Sequence, residues 1–335
     1  MKKSDVWEID HNEFKLLLNS EAQLRFLLRY AILAPSSHNS QPWAFGIKGT
    51  TIVVFPDKKR TLPVSDPLNR NLYIALGCSI ENVHIAADYF GFKTNVELFP
   101  KESPEAVAKI SLEKIREEVG DPDHLIFSIQ RRRSNRGSYE NQLPPQEVLA
   151  HLKNLASGEV FADFISDQKV KTQVVKFLMD FREDSFANRK FRAEMADYKR
   201  NNFSYSSVGI PGFTMGFGNL FSIVAPTLIR YMNIMRFIRE PETALLTQHT
   251  PLFGVISSLG HDPKSWIAVG RLFGKILLEL EKQGLQSSIS ALPLKGEELQ
   301  HILGVAYVPQ IFFRFGYAKT TPRHSPRLSV EKLLV

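Results

Sequence analysis

One short string recurs at long range in this chain. Ile74-Ala75-Leu76-Gly77, followed by Gly91-Phe92, returns as Ile267-Ala268-Val269-Gly270, followed by Gly284-Leu285. The offset is 193 residues for the aliphatic string (74 to 267) and for the later glycine (91 to 284), and it also carries Pro100 onto Pro293. Small and aliphatic residues are common, so chance can supply four matched positions. The shared spacing to a glycine and then a proline favours two copies of one fold in one chain. A length of 335 residues leaves room for both, at the usual 100–200 residues per domain. The expected organisation is two tandem lobes, 1–122 and 123–335, packed as an internal pseudo-dimer.

Local patterns place elements around that repeat. Leu24, Phe26, Leu27, Ile32 and Leu33 fall at helical spacing, and Pro35 ends that helix. Thr51 to Phe55 reads as a strand closed by Pro56-Asp57. Asn71 to Phe90 is a long helix with Gly91 as its C-cap, and Asn95 to Phe99 and Ala108 to Leu112 are two short strands. Ile126 to Arg133 is a helix or its start, and Pro144-Pro145-Gln146-Glu147 opens another helix. Lys171 to Arg200 reads as one charged helix. Leu252 to Ser257 and Gln310 to Tyr317 are strands on either side of a helix from Ser265 to Gln283.

Composition narrows the function classes. Lys and Arg number 42 against 35 Asp and Glu, a net charge of +7. A nucleic-acid binder concentrates such an excess on one face. Here only Arg131-Arg132-Arg133 with Arg136 is clustered, so no nucleic-acid partner is expected. The excess is either a mildly basic surface or a site for a phosphorylated ligand. The single cysteine, Cys78, cannot form an internal disulfide. No apolar run follows Met1-Lys2-Lys3-Ser4-Asp5, so no signal peptide is expected and the location is read as cytoplasmic. The apolar stretch from Gly212 to Ile234 contains Asn219, Pro226 and Arg230, short of the ~20 clean residues of a membrane span. It is buried or lid-like, with contact at a membrane surface left open.

The densest local chemistry is Pro35-Ser36-Ser37-His38-Asn39-Ser40-Gln41-Pro42-Trp43. Two prolines stiffen the turn, and its hydroxyls and amides suit a polar ring edge or a phosphate. A plain helix-to-strand connection capped by Ser and Asn would read the same. Nine histidines are scattered without a His-x-x-x-His pair, so no metal site is expected. There is no Gly-x-Ser-x-Gly, no Walker loop and no Gly-x-Gly-x-x-Gly.

The string Pro-Ser-x-x-Asn-x-Gln-Pro-Trp at residues 35–43 resembles the nitroreductase superfamily. Arg132-Arg133-Ser134-Asn135-Arg136, the long helix from Trp266 to Gly284-Leu285, and Gln310 to Tyr317 match its other parts in order. Asp66-Pro67-Leu68-Asn69-Arg70 and Gly209-Ile210-Pro211 are most similar to the two-lobed, Acg-like group. The resemblance runs from about Leu24 to Lys319. It implies an α+β, nitroreductase-like fold of two tandem lobes with antiparallel-rich sheets flanked by helices. It also implies one FMN, with NAD(P)H as electron donor. The cofactor-binding residues implied are Pro35, Ser36, Ser37, Asn39 and Gln41 from the first lobe. From the second come Arg131, Arg132, Arg133, Ser134, Arg136, Ser290, Ala291 and Arg314. Family members often carry Glu in the Ile289-Ser290-Ala291-Leu292 loop, whose backbone amide meets flavin N5. This chain has Ala291 there. Leu18-Asn19-Ser20-Glu21 stands where a second Arg-Arg-Ser would be, so one site is expected.

The implied activity is hydride transfer from NAD(P)H through flavin N5 to a nitroaromatic, quinone or similar small acceptor, with no catalytic side chain required. The alternative is an FMN-storing protein with a closed lid and little turnover. That lid would be the insertion at about 201–237, which can also be read as a buried helical hairpin. The assembly expected is a monomer or a weak homodimer.

Overall fold

The computed structural model describes residues 6–118, 121–290 and 297–335. The first half runs α1 (Ser20–Ala31), β1 (Trp43–Lys48), β2 (Thr51–Pro56), α2 (Arg70–Tyr89), β3 (Phe92–Leu98) and β4 (Ala108–Lys114). The second opens with α3 (Ile126–Arg131), α4 (Gln146–Asn154) and β5 (Val160–Ile165). Next come α5 (Gln168–Ala187), α6 (Arg189–Tyr198), β6 (Lys199–Arg200), β7 (Ile210–Pro211), α7 (Asn219–Tyr231) and α8 (Met235–Gln248). It closes with β8 (Leu252–Ser258), α9 (Pro263–Lys282), β9 (Gln286–Ser290), α10 (Glu297–Leu303) and β10 (Val308–Gly316).

The internal repeat is a repeat of topology. One antiparallel sheet has the order β1-β2-β4-β3 and the other β5-β8-β10-β9. In both, a long helix joins the second strand to the third, α2 in one and α9 in the other. Those two helices pack against each other through the repeated glycines. A Cβ at Gly77 would sit 2.3 Å from the Ile267 carbonyl oxygen, and one at Gly270 would sit 2.1 Å from the Ile74 carbonyl oxygen. The contact is reciprocal, as across a two-fold axis, and only glycine allows backbones so close. Gly91 and Gly284, the other repeated pair, both have left-handed φ, +77° and +71°, where each chain leaves its helix. Pro293 lies outside the described residues.

The two sheets are buried differently. β3 alternates exposed with half-buried residues, and β4 starts by alternating buried with half-buried ones, the signature of a sheet with one face turned outward. β8 and nearly all of β10 are buried throughout. One face of the second sheet meets α9. Phe253, Val255 and Phe312 on the other face pack with Val174, Leu178 and Met179 of α5. The insertion between β5 and β8 therefore supplies a layer that the first half lacks.

Several expectations are corrected. The single helix over 171–200 is two. Asn188 is extended between them (φ −74°, ψ 117°), and its side chain accepts from the Lys190 N–H, capping α6. The 126–133 helix stops at Arg131, and Arg132 is already extended. β1, β5, β9 and α10 were not anticipated. Nor was the course of the C-terminal tail. After β10 it crosses back to the first sheet, where the Phe45 N–H donates to Leu333 O at 2.8 Å and the Val335 N–H to Phe45 O at 3.0 Å. No helix among the described residues is long and apolar enough to cross a membrane.

Candidate functional site

The loop after α1 is held in an unusual backbone shape. His38, Asn39 and Gln41 all have left-handed φ, 53°, 52° and 52°, a conformation that costs an L-residue roughly 1–2 kcal/mol. Side-chain hydrogen bonds offset that cost. Asn39 Nδ2 donates to Gly209 O (3.0 Å) and Pro326 O (2.9 Å), and Asn39 Oδ1 accepts from Arg327 Nη1 (2.7 Å). Gln41 Nε2 donates to Ser207 O (2.7 Å), and Gln41 Oε1 accepts from the Leu328 N–H (2.9 Å). Both amides thus tie the loop to the insertion and the tail.

The arginine segment closes α3 rather than opening a helix, so it brings no free helical N–H groups. Asn135 fixes it instead. Its N–H donates to Ser287 O (2.8 Å), and its Nδ2 reaches Gln286 Oε1 (2.7 Å) and Thr320 O (2.8 Å). Arg314 projects from β10, its Nη2 donating to Gly137 O (2.8 Å) and its guanidinium lying 4.5 Å from the Tyr139 ring centre.

These segments enclose a cavity of about 630 Å³, within the ~300–1,000 Å³ typical of small-molecule sites. Pro35, Ser36, Ser37, Asn39, Arg132, Arg133, Ser134, Arg136, Ser290 and Arg314 all line it. Gln41 and Arg131 do not: Gln41 is spent on the loop, and Arg131 points outward to Glu281 at 3.7 Å. Ala291 lies outside the described residues.

Sequence reasoning missed part of the lining. Lys199, Arg182 and Glu242 come from the insertion, and Arg323, His324 and Arg327 from the tail. The run of Lys319, Arg323, His324 and Arg327 was a readable basic signal. Lys199 had none, because it follows a helix whose charges read as a solvated face. The insertion also supplies apolar wall from Phe181, Met215, Phe217 and Phe237.

The electrostatics are one-sided. Eight Arg and Lys side chains line the cavity against one carboxylate, Glu242, which is already paired with Arg182. Among the described residues no carboxylate lies within 4 Å of Arg132, Arg133, Arg136, Lys199, Arg314, Arg323 or Arg327 in an ion pair. Burial pushes the Lys199 ammonium down to about 7, with help from the Arg136 charge. Arg327 is pushed down to about 9 by burial and then by Arg132. Burial also lowers Arg136 and Arg314, and the Arg314 charge lowers Arg136 further. His38 is driven to about 3 by burial and the Lys199 and Arg136 charges, so it is neutral. The Cys78 thiol, also in the wall, is raised to about 12 by burial and is no nucleophile. No group of three or more His, Cys, Asp or Glu among the described residues could hold a metal. The site is built to receive negative charge.

No family model matches the chain. It is 23% identical over 328 residues to a Mycobacterium tuberculosis protein named "Putative NAD(P)H nitroreductase acg", covering 92% of this chain and 94% of that one. Over nearly its whole length the chain is thus similar to that protein. The mixed helices and the two antiparallel four-stranded sheets make an α+β fold. An uncharacterised M. tuberculosis protein is 28% identical over 159 residues, 44% of this chain and 46% of that protein, so the chain matches about half the length of that relative. Among solved structures, the FMN-dependent nitroreductase NfnB of Mycobacterium smegmatis in complex with NADPH is 15% identical with a TM-score of 0.42. That match covers 61% of this chain and 94% of NfnB. Iodotyrosine deiodinase bound to FMN and 3-iodo-L-tyrosine is 18% identical with a TM-score of 0.41, covering 61% of this chain and 95% of the deiodinase.

Proposed function

We propose that the chain is an FMN-dependent oxidoreductase that passes reducing equivalents from NAD(P)H to a small acceptor such as a nitroaromatic or a quinone. The observation that carries this reading is the cluster of uncompensated cations around a cavity of cofactor size. A phosphate monoester brings a charge of about −1.5 to −2 and three strong acceptors. Guanidinium groups stay ionised and fork onto such oxygens. Arg132, Arg133, Arg136 and Arg314, with the Ser134 hydroxyl, would hold the FMN phosphate. The stiff 35–39 loop and Ser288–Ser290 would line the ring system. Bound FMN supplies the hydride chemistry, which is why a wall without a nucleophile or an acid–base pair is sufficient. The protein's own tasks are to bind, to orient and to exclude water, and Phe181, Met215, Phe217 and Phe237 serve the last of these.

Replacing Arg133 and Arg314 together with Ala tests the assignment. Each charge-assisted contact is worth about 1.5–3 kcal/mol, so FMN affinity should fall at least ~100-fold and the desalted protein should lose its yellow colour. Full flavin retention by that variant would overturn the phosphate assignment. Turnover is tested by anaerobic stopped-flow mixing of the FMN-loaded protein with NADH or NADPH. Bleaching within seconds, reversed by a quinone, is expected. A spectrum unchanged for minutes would point instead to flavin holding.

A further inference from the structure

A four-residue turn inside the insertion gathers three cations from three distant parts of the chain. The turn is Gly212–Met215, held by Phe217 N–H donating to Gly212 O at 3.0 Å and Thr214 Oγ1 donating to Pro211 O at 2.8 Å. The Arg323 guanidinium stacks 4.2 Å from the centre of the Phe213 ring. Arg136 Nη1 donates to Thr214 O at 3.3 Å. Lys199 Nζ lies 2.9 Å from Met215 Sδ. The short parallel pairing of Lys199 with Ile210 and of Arg200 with Pro211 fixes the lysine's backbone beside the turn. The neutral His38 ring stacks on Tyr198 with 5.7 Å between centroids, and its Nδ1 has no hydrogen-bond partner among the described residues.

This grouping is costly unless something negative enters it. A thioether is a weak acceptor, and a half-buried ammonium beside a guanidinium is disfavoured by both desolvation and repulsion, although Arg136 and Arg323 keep part of their surface open to solvent. The depressed proton affinity of Lys199 reports that cost. A single phosphate monoester does not cancel the whole set. Arg132, Arg133, Arg136 and Arg314 already exceed its charge of about −2, and Lys199 and Arg323 remain beyond them. Both line the same cavity, on the wall the insertion and tail supply.

We infer that the Gly212–Met215 turn with Lys199 and Arg323 forms a second anion-recognising subsite, which holds the acidic group of the ligand that enters beside the flavin. The word "second" rests on the FMN reading above; the subsite itself does not. The shared chemistry is a carboxylate or phosphate on a small molecule. It comes either from the acceptor or from the extra phosphate that separates NADPH from NADH.

The test uses Lys199→Gln, Arg323→Gln and the double variant, with Lys199→Arg as the rescue. In FMN-loaded protein, KM is measured for 4-nitrobenzoate and the uncharged 4-nitrobenzamide, and for NADPH and NADH. Loss of one charge-assisted contact of about 1.5–3 kcal/mol corresponds to a ~10- to 100-fold rise in KM. That rise is expected for 4-nitrobenzoate alone if the acceptor carries the acid, and for NADPH alone if the dinucleotide does. Lys199→Arg should restore most of it, and FMN retention should stay near wild type. Equal KM values in wild type and the double variant for all four ligands would overturn the inference. Failure of the flavin reading is read separately. If no FMN is retained, inorganic pyrophosphate is titrated against flavin-free protein by thermal shift. The wild type should be stabilised more than the double variant, and equal shifts would overturn the subsite.

Discussion

Asn39 ties three distant segments together at the wall of the cavity. It bonds Gly209 O, Pro326 O and the Arg327 guanidinium, and its own backbone sits at φ 52°. Asn39→Ala removes the one side-chain acceptor from a buried guanidinium that otherwise bonds backbone carbonyls, and the support from a left-handed residue. The expected loss is about 2–4 kcal/mol in a urea melt, larger than for an exposed substitution. Lys199 makes a second residue-level prediction. Its proton affinity is lowered in the folded chain to about 7, against ~10.4 when unfolded. Between those values the unfolded state binds more protons, so stability rises with pH from about 7 toward ~10 and is independent of pH below about 7, where both states are protonated. The groups that enforce this are its buried setting and Arg136, with His38 neutral alongside. In flavin-free protein, subtracting the pH–stability curve of Lys199→Met from that of the wild type should leave that rise. A flat difference would remove Lys199 from the buried cation set.

The paired helices are where sequence and structure agree most closely, and the reason is physical. Gly77 and Gly270 stand at equivalent points of two copies, and each accepts the other's backbone at a distance no Cβ permits. Such a contact leaves a fixed string in the sequence, legible as the 193-residue repeat. Gly77→Ala and Gly270→Ala should each cost about 1–3 kcal/mol by overpacking, despite the gain in helix propensity of ~1 kcal/mol, seen as a lower urea midpoint. An unchanged midpoint would mean the helices can separate without penalty. Elements with weaker patterns were not legible. β5 (Val160-Phe161-Ala162-Asp163-Phe164-Ile165) and β9 (Gln286-Ser287-Ser288-Ile289-Ser290) are short and mixed, and both lie at the edges of their sheet, where one side of the ladder makes no demand on composition. The break at Asn188 was hidden because a charged helical pattern continues on both sides of it. Of the cavity lining, the 35–39 loop, Arg132–Arg136 and Arg314 were picked out by the resemblance of their short strings to a known family. Lys199 and Arg327 were not, since only the folded insertion and the returning tail bring them to the cavity.

At the scale of the whole chain, charge is placed rather than merely carried. A net charge of +7 looks unremarkable in composition, yet seven cations without a carboxylate in ion-pair range among the described residues face one cavity. Anions that settle there favour the folded state by mass action. Saturating FMN should therefore raise the melting temperature by several degrees, and riboflavin, which lacks the phosphate, by much less. Equal shifts from the two would place the flavin's contacts elsewhere than on the arginines.

The tail that returns from β10 to pair with Phe45 has a further consequence. The 35–39 loop, the arginine segment, the insertion and the tail all belong to one polypeptide, so assembling the cavity's walls is an intramolecular event with a high effective concentration. A site split between two separate chains comes apart on dilution. Here, at a fixed free FMN concentration, flavin binding per chain should stay constant from micromolar to low nanomolar protein, whatever larger assembly the molecule joins.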